Sequence, residues 1–98
     1  MATDVSTIRQ AIKDLLLEQP LSALELSQQL GIPEKEALDH LAHIAKAPGQ
    51  GCRFHIFPAA CKHCGFVFKK RERLTIPSRC PICRGESIRR PRFEVVRN

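Results

Sequence analysis

Two stretches decide the fold of this chain: Cys61-Lys62-His63-Cys64-Gly65 and Cys80-Pro81-Ile82-Cys83-Arg84-Gly85. Two residues between paired cysteines let both sulfurs of one turn point at a single ion, while backbone N–H groups turn toward the sulfurs. Gly65 and Gly85 read as the permissive backbone such turns need. The fifteen residues between Cys64 and Cys80 are enough for a hairpin that brings the two knuckles together. Four thiolates at about 2.3 Å make a closed tetrahedral shell for one zinc ion. A closed shell has no position for water or substrate, so the expected ion is structural. The lobe of residues 58–90 is too short to bury enough apolar surface by itself. Metal-binding energy of about 10 kcal/mol or more substitutes for the missing core. Phe66, Val67, Phe68 and Ile88 are its expected thin core.

Other readings of these cysteines carry different chemistry. Two disulfides would use the same four residues, but a reducing cytoplasm opposes them. Iron is the stronger competitor, because tetrahedral sulfur ligation suits both metals and the Cys-x-x-Cys-Gly and Cys-Pro-x-Cys pair also resembles rubredoxin. The basic surroundings and the absence of Trp and Tyr favour zinc. His63 sits in a knuckle already supplied with thiolates and is expected in solvent. Cys52, the fifth cysteine, has no neighbouring base or resolving partner and reads as a small hydrophobe. His40 and His43, three residues apart, read as an exposed helix face rather than a second metal clip.

Outward from the cysteines, Arg53-Phe54-His55-Ile56-Phe57 and Arg92-Phe93-Glu94-Val95-Val96 are two short β-type runs, closed by Pro58 and Pro91. Their similarity makes them partners in an antiparallel hairpin, with the cysteine-bearing lobe where the loop should be. Before them come three helices. Val5, Ile8, Ile12, Leu15 and Leu16 recur at three- and four-residue steps, with Thr3 or Asp4 as the expected cap. Ser22 and Glu25 have capping-box spacing, Leu21 and Leu26 that of a hydrophobic staple, and Gly31 stands where a helix ends left-handed. Pro33 pre-sets a third helix with Ala37, Leu38, Leu41, Ile44 and Ala45 on its apolar face. The tight turn between the last two helices predicts a helix-turn-helix, with small Ser27 allowing close approach. The expected class is therefore α+β: a three-helix winged helix-turn-helix (residues 1–57 with 91–98) and a small β zinc-ribbon lobe (residues 58–90) inserted in its wing. No linker or low-complexity stretch intervenes, so a rigid junction is expected.

Charge separates the two halves. Residues 1–51 carry four basic and seven acidic side chains, whereas residues 52–98 carry twelve basic and three acidic ones. A strongly basic half seeks a polyanion, and double-stranded DNA is the expected partner. Lys69, Lys70, Arg71, Arg73, Arg79, Arg84, Arg89 and Arg90 are the candidate phosphate contacts. The exposed start of the third helix offers Glu34, Lys35, Glu36, Asp39 and His40, and its carboxylates repel the backbone a reading helix must approach. A protein partner or second subunit for that acidic face is the alternative. Few aromatics exclude a base-stacking platform. No apolar run approaches the ~20 residues of a membrane span, and the first residues lack signal-peptide character, so a cytoplasmic location is expected. No Ser-His-Asp arrangement or glycine-rich phosphate loop points to an enzyme. Reversible redox chemistry within Cys61-x-x-Cys64 would be the enzymatic alternative.

Taken together, Ser22-Ala23-Leu24-Glu25-Leu26-Ser27, Leu30-Gly31-Ile32-Pro33, Cys61 to Phe68 and Pro77 to Cys83 resemble a family of small prokaryotic predicted transcriptional regulators. These fuse a winged helix-turn-helix to a rubredoxin-like zinc ribbon, and the resemblance covers almost the whole chain. It implies DNA binding or transcriptional control in the cytoplasm, with Cys61, Cys64, Cys80 and Cys83 as metal ligands. The acidic third helix departs from the DNA-reading pattern.

Overall fold

Ser22 starts the best-defined local structure in the chain. Its hydroxyl accepts from the Glu25 backbone N–H at 3.2 Å, and the Glu25 carboxylate accepts from the Ser22 backbone N–H at 3.0 Å. This reciprocal capping box satisfies two donors that a helix start leaves orphaned. The helix it opens, α2 (Ala23–Leu30), closes on Gly31 at φ 66°, ψ 35°. Only three residues then separate it from α3 (Glu34–Lys46), and α1 (Val5–Glu18) precedes both. The Ser27 hydroxyl donates to the Ile32 carbonyl at 2.5 Å, which fixes the turn. The computed structural model describes residues 5–69 and 74–98. The expected Thr3 or Asp4 cap and the side chain of Val5 lie outside the described residues.

The three helices bury their apolar stripes against a two-stranded antiparallel sheet. Ile12, Leu16, Leu26, Ala37, Leu41 and Ile44 form one core with Phe93 and Val95. The strands are β1 (Cys52–Phe57) and β4 (Arg92–Arg97), in register from Cys52 opposite Arg97 to Phe57 opposite Arg92. Phe54 and Phe93 stack in the core with ring centroids 5.8 Å apart. Leu21 exchanges backbone hydrogen bonds with Phe93 at 3.0 and 2.8 Å, so this residue, two positions before α2, extends the sheet along β4. That contact escapes sequence reading because one residue pair leaves no periodic signal.

Between β1 and β4 the chain makes a second antiparallel pair, β2 (Ala60–Cys61) with β3 (Ile88–Arg89). A separate small core sits here: Ala59, Cys61, Cys80 and Ile88, with Phe66 and Phe68 against them. The two Phe rings meet edge to face at 5.0 Å. Val67, expected in this core, is 37% exposed instead. Alternation decides this: with Phe66 and Phe68 on the inner face, their middle neighbour points outward. The whole is a mixed α+β fold, and Leu74 from the cysteine-bearing segment packs on the helical core. Among the described residues, no helix is long and apolar enough to cross a membrane.

His40 departs from expectation. It is 3% exposed, whereas the spacing with His43 suggested a solvated pair. His43 is exposed. Arg9 of α1 donates from Nε to His40 Nδ1 at 3.3 Å, which leaves the ring proton on Nε2. That nitrogen is buried without a hydrogen-bond partner among the described residues. Burial, then the Arg9 charge, hold the His40 pKa below its ordinary value of 6.5. Ala45, placed by sequence on the inner face, is exposed at the last turn of α3.

Candidate metal centre and basic surface

Both knuckles use the same hydrogen bonds. The Gly65 N–H donates to the Cys61 carbonyl at 3.1 Å, and the Arg84 N–H to the Cys80 carbonyl at 2.9 Å. One bond further out, Cys61 N–H donates to the Phe66 carbonyl and Cys80 N–H to the Gly85 carbonyl. Each turn therefore places a left-handed residue directly after its second cysteine. Gly65 fills that position in the first knuckle at φ 80°. In the second it is Arg84, at φ 61°, not the expected Gly85. Gly85 serves another need: a Cβ there would lie 3.3 Å from Cys83 Sγ and 3.6 Å from His63 Cδ2. It is small because a sulfur occupies the space.

The four sulfurs of Cys61, Cys64, Cys80 and Cys83 lie within 4.8 Å of one another. Cross-knuckle pairs Cys61–Cys83 and Cys64–Cys80 are each 3.5 Å apart. A tetrahedron with metal–sulfur bonds of about 2.3 Å has edges of about 3.8 Å, so the donor set fits one zinc-sized ion. No disulfide forms among these residues or with Cys52. Backbone N–H groups converge on the sulfurs, as Ile82 N–H does on Cys80 Sγ at 3.4 Å. The Cys64 N–H is the main cause that pulls the Cys61 thiol down to about 6, against the effect of its burial. The Phe66 N–H acts likewise on Cys64, but burial and the neighbouring sulfurs outweigh it and push that thiol up to about 12. A divalent ion bound here would take the four sulfurs as thiolates and displace their protons. When bound, the ion supplies a crosslink between two chain segments. Cys61 and Cys80 are buried, Cys64 and Cys83 exposed.

Two family models cover nearly the whole chain. Residues 7–53 match "PF0610-like, N-terminal" and residues 58–98 match "PF0610 rubredoxin-like zinc beta-ribbon domain". The chain is also similar to protein PF0610 from Pyrococcus furiosus, solved by solution NMR. The two share 39% sequence identity and a TM-score of 0.80, over all of this chain and 96% of that one. The chain belongs to the PF0610 family. The first family model ends at Arg53, inside β1, and the second begins at Pro58, just after that strand, so the ribbon model includes β4, which the helical core also uses. Among curated proteins no relative matches.

The predicted phosphate contacts have separate fates. Lys70, Arg71 and Arg73 lie outside the described residues. Lys69, Arg79, Arg84 and Arg89 are exposed. Arg79 stands 3.9 Å from Glu86, a distance at which two exposed groups contribute little. Arg90 is different: its Nη1 donates to Glu34 Oε1 at 2.7 Å, tying the start of α3 to the segment between β3 and β4. Sequence reading missed this pair, since 56 positions separate its members. Arg92, part of the basic ribbon and wing in the sequence but not among its candidate phosphate contacts, has its guanidinium over the Phe57 ring, 5.9 Å from the centroid.

Proposed function

We propose that this chain is a winged helix-turn-helix protein that binds double-stranded DNA, acts in transcriptional control, and holds its basic surface in shape with one structural zinc ion. The helices and the β1–β4 pair, with residues 1–57 and 91–98, form the winged module. Residues 58–90 are the ribbon inserted in the wing. The short Gly31–Pro33 turn between α2 and α3 and the Leu21 extension of the β1–β4 sheet support this reading of the fold. Cys61, Cys64, Cys80 and Cys83 are the zinc ligands, and four protein sulfurs leave no coordination position for a reaction. The protein is accordingly read as non-enzymatic and cytoplasmic.

One observation carries the DNA reading: Lys69, Arg79, Arg84 and Arg89 are all exposed on the ribbon, in a half of the chain with twelve basic and three acidic side chains. Four thiolates around one divalent ion take back only two of those charges. The ribbon supplies affinity through phosphates, and acidic α3 contributes little base readout. Titration of the zinc-loaded chain with duplex DNA across salt concentrations tests this. Affinity is expected to fall steeply as salt rises, and Lys69→Gln with Arg79→Gln should make that slope shallower by roughly one to two counterions. No duplex binding at low salt would defeat the reading. One feature favours a second reading, docking onto a protein: Ile82 at the tip of the second knuckle is 67% exposed.

A further inference from the structure

The chain passes between its two sheets twice, at Pro58-Ala59 and at Arg90-Pro91, and these crossings lie side by side because β1 pairs with β4 and β2 with β3. A cleft of about 240 Å³ opens at this junction. Its apolar floor includes Phe57, Pro58 and Val67, and its rim carries Arg89, Arg90 and Arg92. Among the described residues, no carboxylate lines it. The register explains how three cations come together: Arg89 stands opposite Ala60 at the end of β3, and Arg92 opposite Phe57 at the start of β4. Arg92 is steadied over Phe57, and Arg90 is held from behind by Glu34. Arg90 thus borders two clefts, this one and a neighbouring apolar cleft on the helix side that Glu34 also lines.

We propose that this junction cleft is a discrete site for a phosphate group, and that Glu34 competes with the phosphate for Arg90. The assignment rests on the duplex-binding reading for the source of the phosphate, and goes beyond it in naming the cleft, Arg92 and the competing carboxylate. Three guanidiniums, one of them paired with Glu34, repel one another, and a phosphate oxyanion relieves that repulsion while accepting forked hydrogen bonds. The cleft holds a phosphate with several waters. Glu34 already offers Arg90 a carboxylate, so it neutralises part of the site when phosphate is absent and opposes its entry. Because Glu34 opens α3, occupation of the cleft is also felt at the start of that helix.

The test titrates the zinc-loaded full chain with inorganic phosphate at constant ionic strength, following backbone and guanidinium NMR resonances of Arg89, Arg90 and Arg92. Saturable shifts confined to the junction are expected. Arg92→Gln should weaken binding roughly tenfold, Glu34→Gln should tighten it about threefold or more, and Lys46→Gln at the end of α3, outside the cleft, should change nothing. Unchanged helical circular dichroism and metal content certify the variants. A second arm adds a short DNA duplex at matched phosphate concentration: the same shifts, lost in Arg92→Gln, identify the backbone as the source. Saturable inorganic phosphate binding without duplex binding supports the cleft, assigns it to a free phosphate and defeats the DNA reading. Duplex binding that ignores both Arg92→Gln and Glu34→Gln, or phosphate shifts that never saturate, overturns the cleft and leaves the DNA reading standing.

Discussion

Arg84 holds a conformation that its neighbour could adopt at less cost. The second knuckle needs a left-handed residue after Cys83, and a side chain there costs about 1 kcal/mol or more compared with glycine. Arg84→Gly is therefore expected to raise the thermal midpoint of the metal-loaded protein by several degrees, while removing one exposed cation and weakening the proposed DNA binding. Calorimetry beside a duplex titration separates the two effects; an unchanged or lower midpoint would show that the knuckle gains nothing from relief of φ. Gly85→Ala should act oppositely, because its new methyl group would press on Cys83 Sγ. Tighter metal binding in that variant, by competition with a chromophoric chelator, would contradict the crowding seen at 3.3 Å. Sequence reading placed the permissive residue at Gly85 because glycine draws that inference; the hydrogen-bond frame, one position earlier, becomes visible only when the two knuckles are superimposed. His40 teaches a similar lesson. Its pKa is held below 6.5 in the folded chain, so folding favours the neutral ring. The stability this ring permits is complete above about 6.5 and is lost as pH falls below that value, when the unfolded chain takes the proton first. Denaturant midpoints of wild type and His40→Gln should therefore diverge between pH 7.5 and 5.0, with wild type losing more. Parallel loss in both would remove His40 as the cause.

At the scale of elements, legibility followed locality. The bounds of α2 were readable because the capping box and Gly31 lie within the helix's own ten residues, and each satisfies backbone groups the helix cannot. Ser22→Ala should cost about 1 kcal/mol, measurable as a lowered denaturant midpoint with unchanged slope; a smaller midpoint shift than Ala substitution at exposed Gln29 would mean the box is idle. The four cysteines were readable for a related reason, since thiol chemistry at two-residue spacing has few other uses. Strands β1 and β4 were readable as a pair because alternation and flanking prolines mark both. What joins these elements was not. The Leu21–Phe93 exchange, the Arg9–His40 bond and the Glu34–Arg90 tie each connect residues far apart in sequence, through single contacts with no period to detect. Charge density along the sequence points to the phosphate candidates but ranks every exposed cation alike. Only the register between two sheets distinguishes Arg92 from the others.

The molecule is elongated, 46 by 31 by 19 Å, and holds two cores that share little. The larger includes Ile12, Leu26, Leu41 and Phe93 and contains none of the four clustered cysteines; the smaller has four buried residues, two of them metal-ligand candidates. Strands β2 and β3 are two residues each, too short to persist without support. On the proposed zinc reading the smaller core depends on the ion, while the larger has its own apolar burial, at about 1.5–3 kcal/mol for each large side chain. Removing metal turns the ribbon into a long loop between β1 and β4. The entropy of closing a longer flexible loop rises slowly, by about 0.6 kcal/mol for each doubling of length, so the β1–β4 pair should survive. Chelation is accordingly expected to abolish amide protection at Cys61, Lys62, Phe68 and Cys80, whose hydrogen bonds lie within the ribbon. Protection in α1 and α3 should persist, with a melting midpoint lowered by a few degrees through loss of the Leu74 and Glu34–Arg90 contacts. Hydrogen exchange read by NMR, before and after chelator, resolves the two regions. Helical protection collapsing together with the ribbon would mean that one cooperative unit spans both cores, and that the ion stabilises the entire chain rather than its basic lobe.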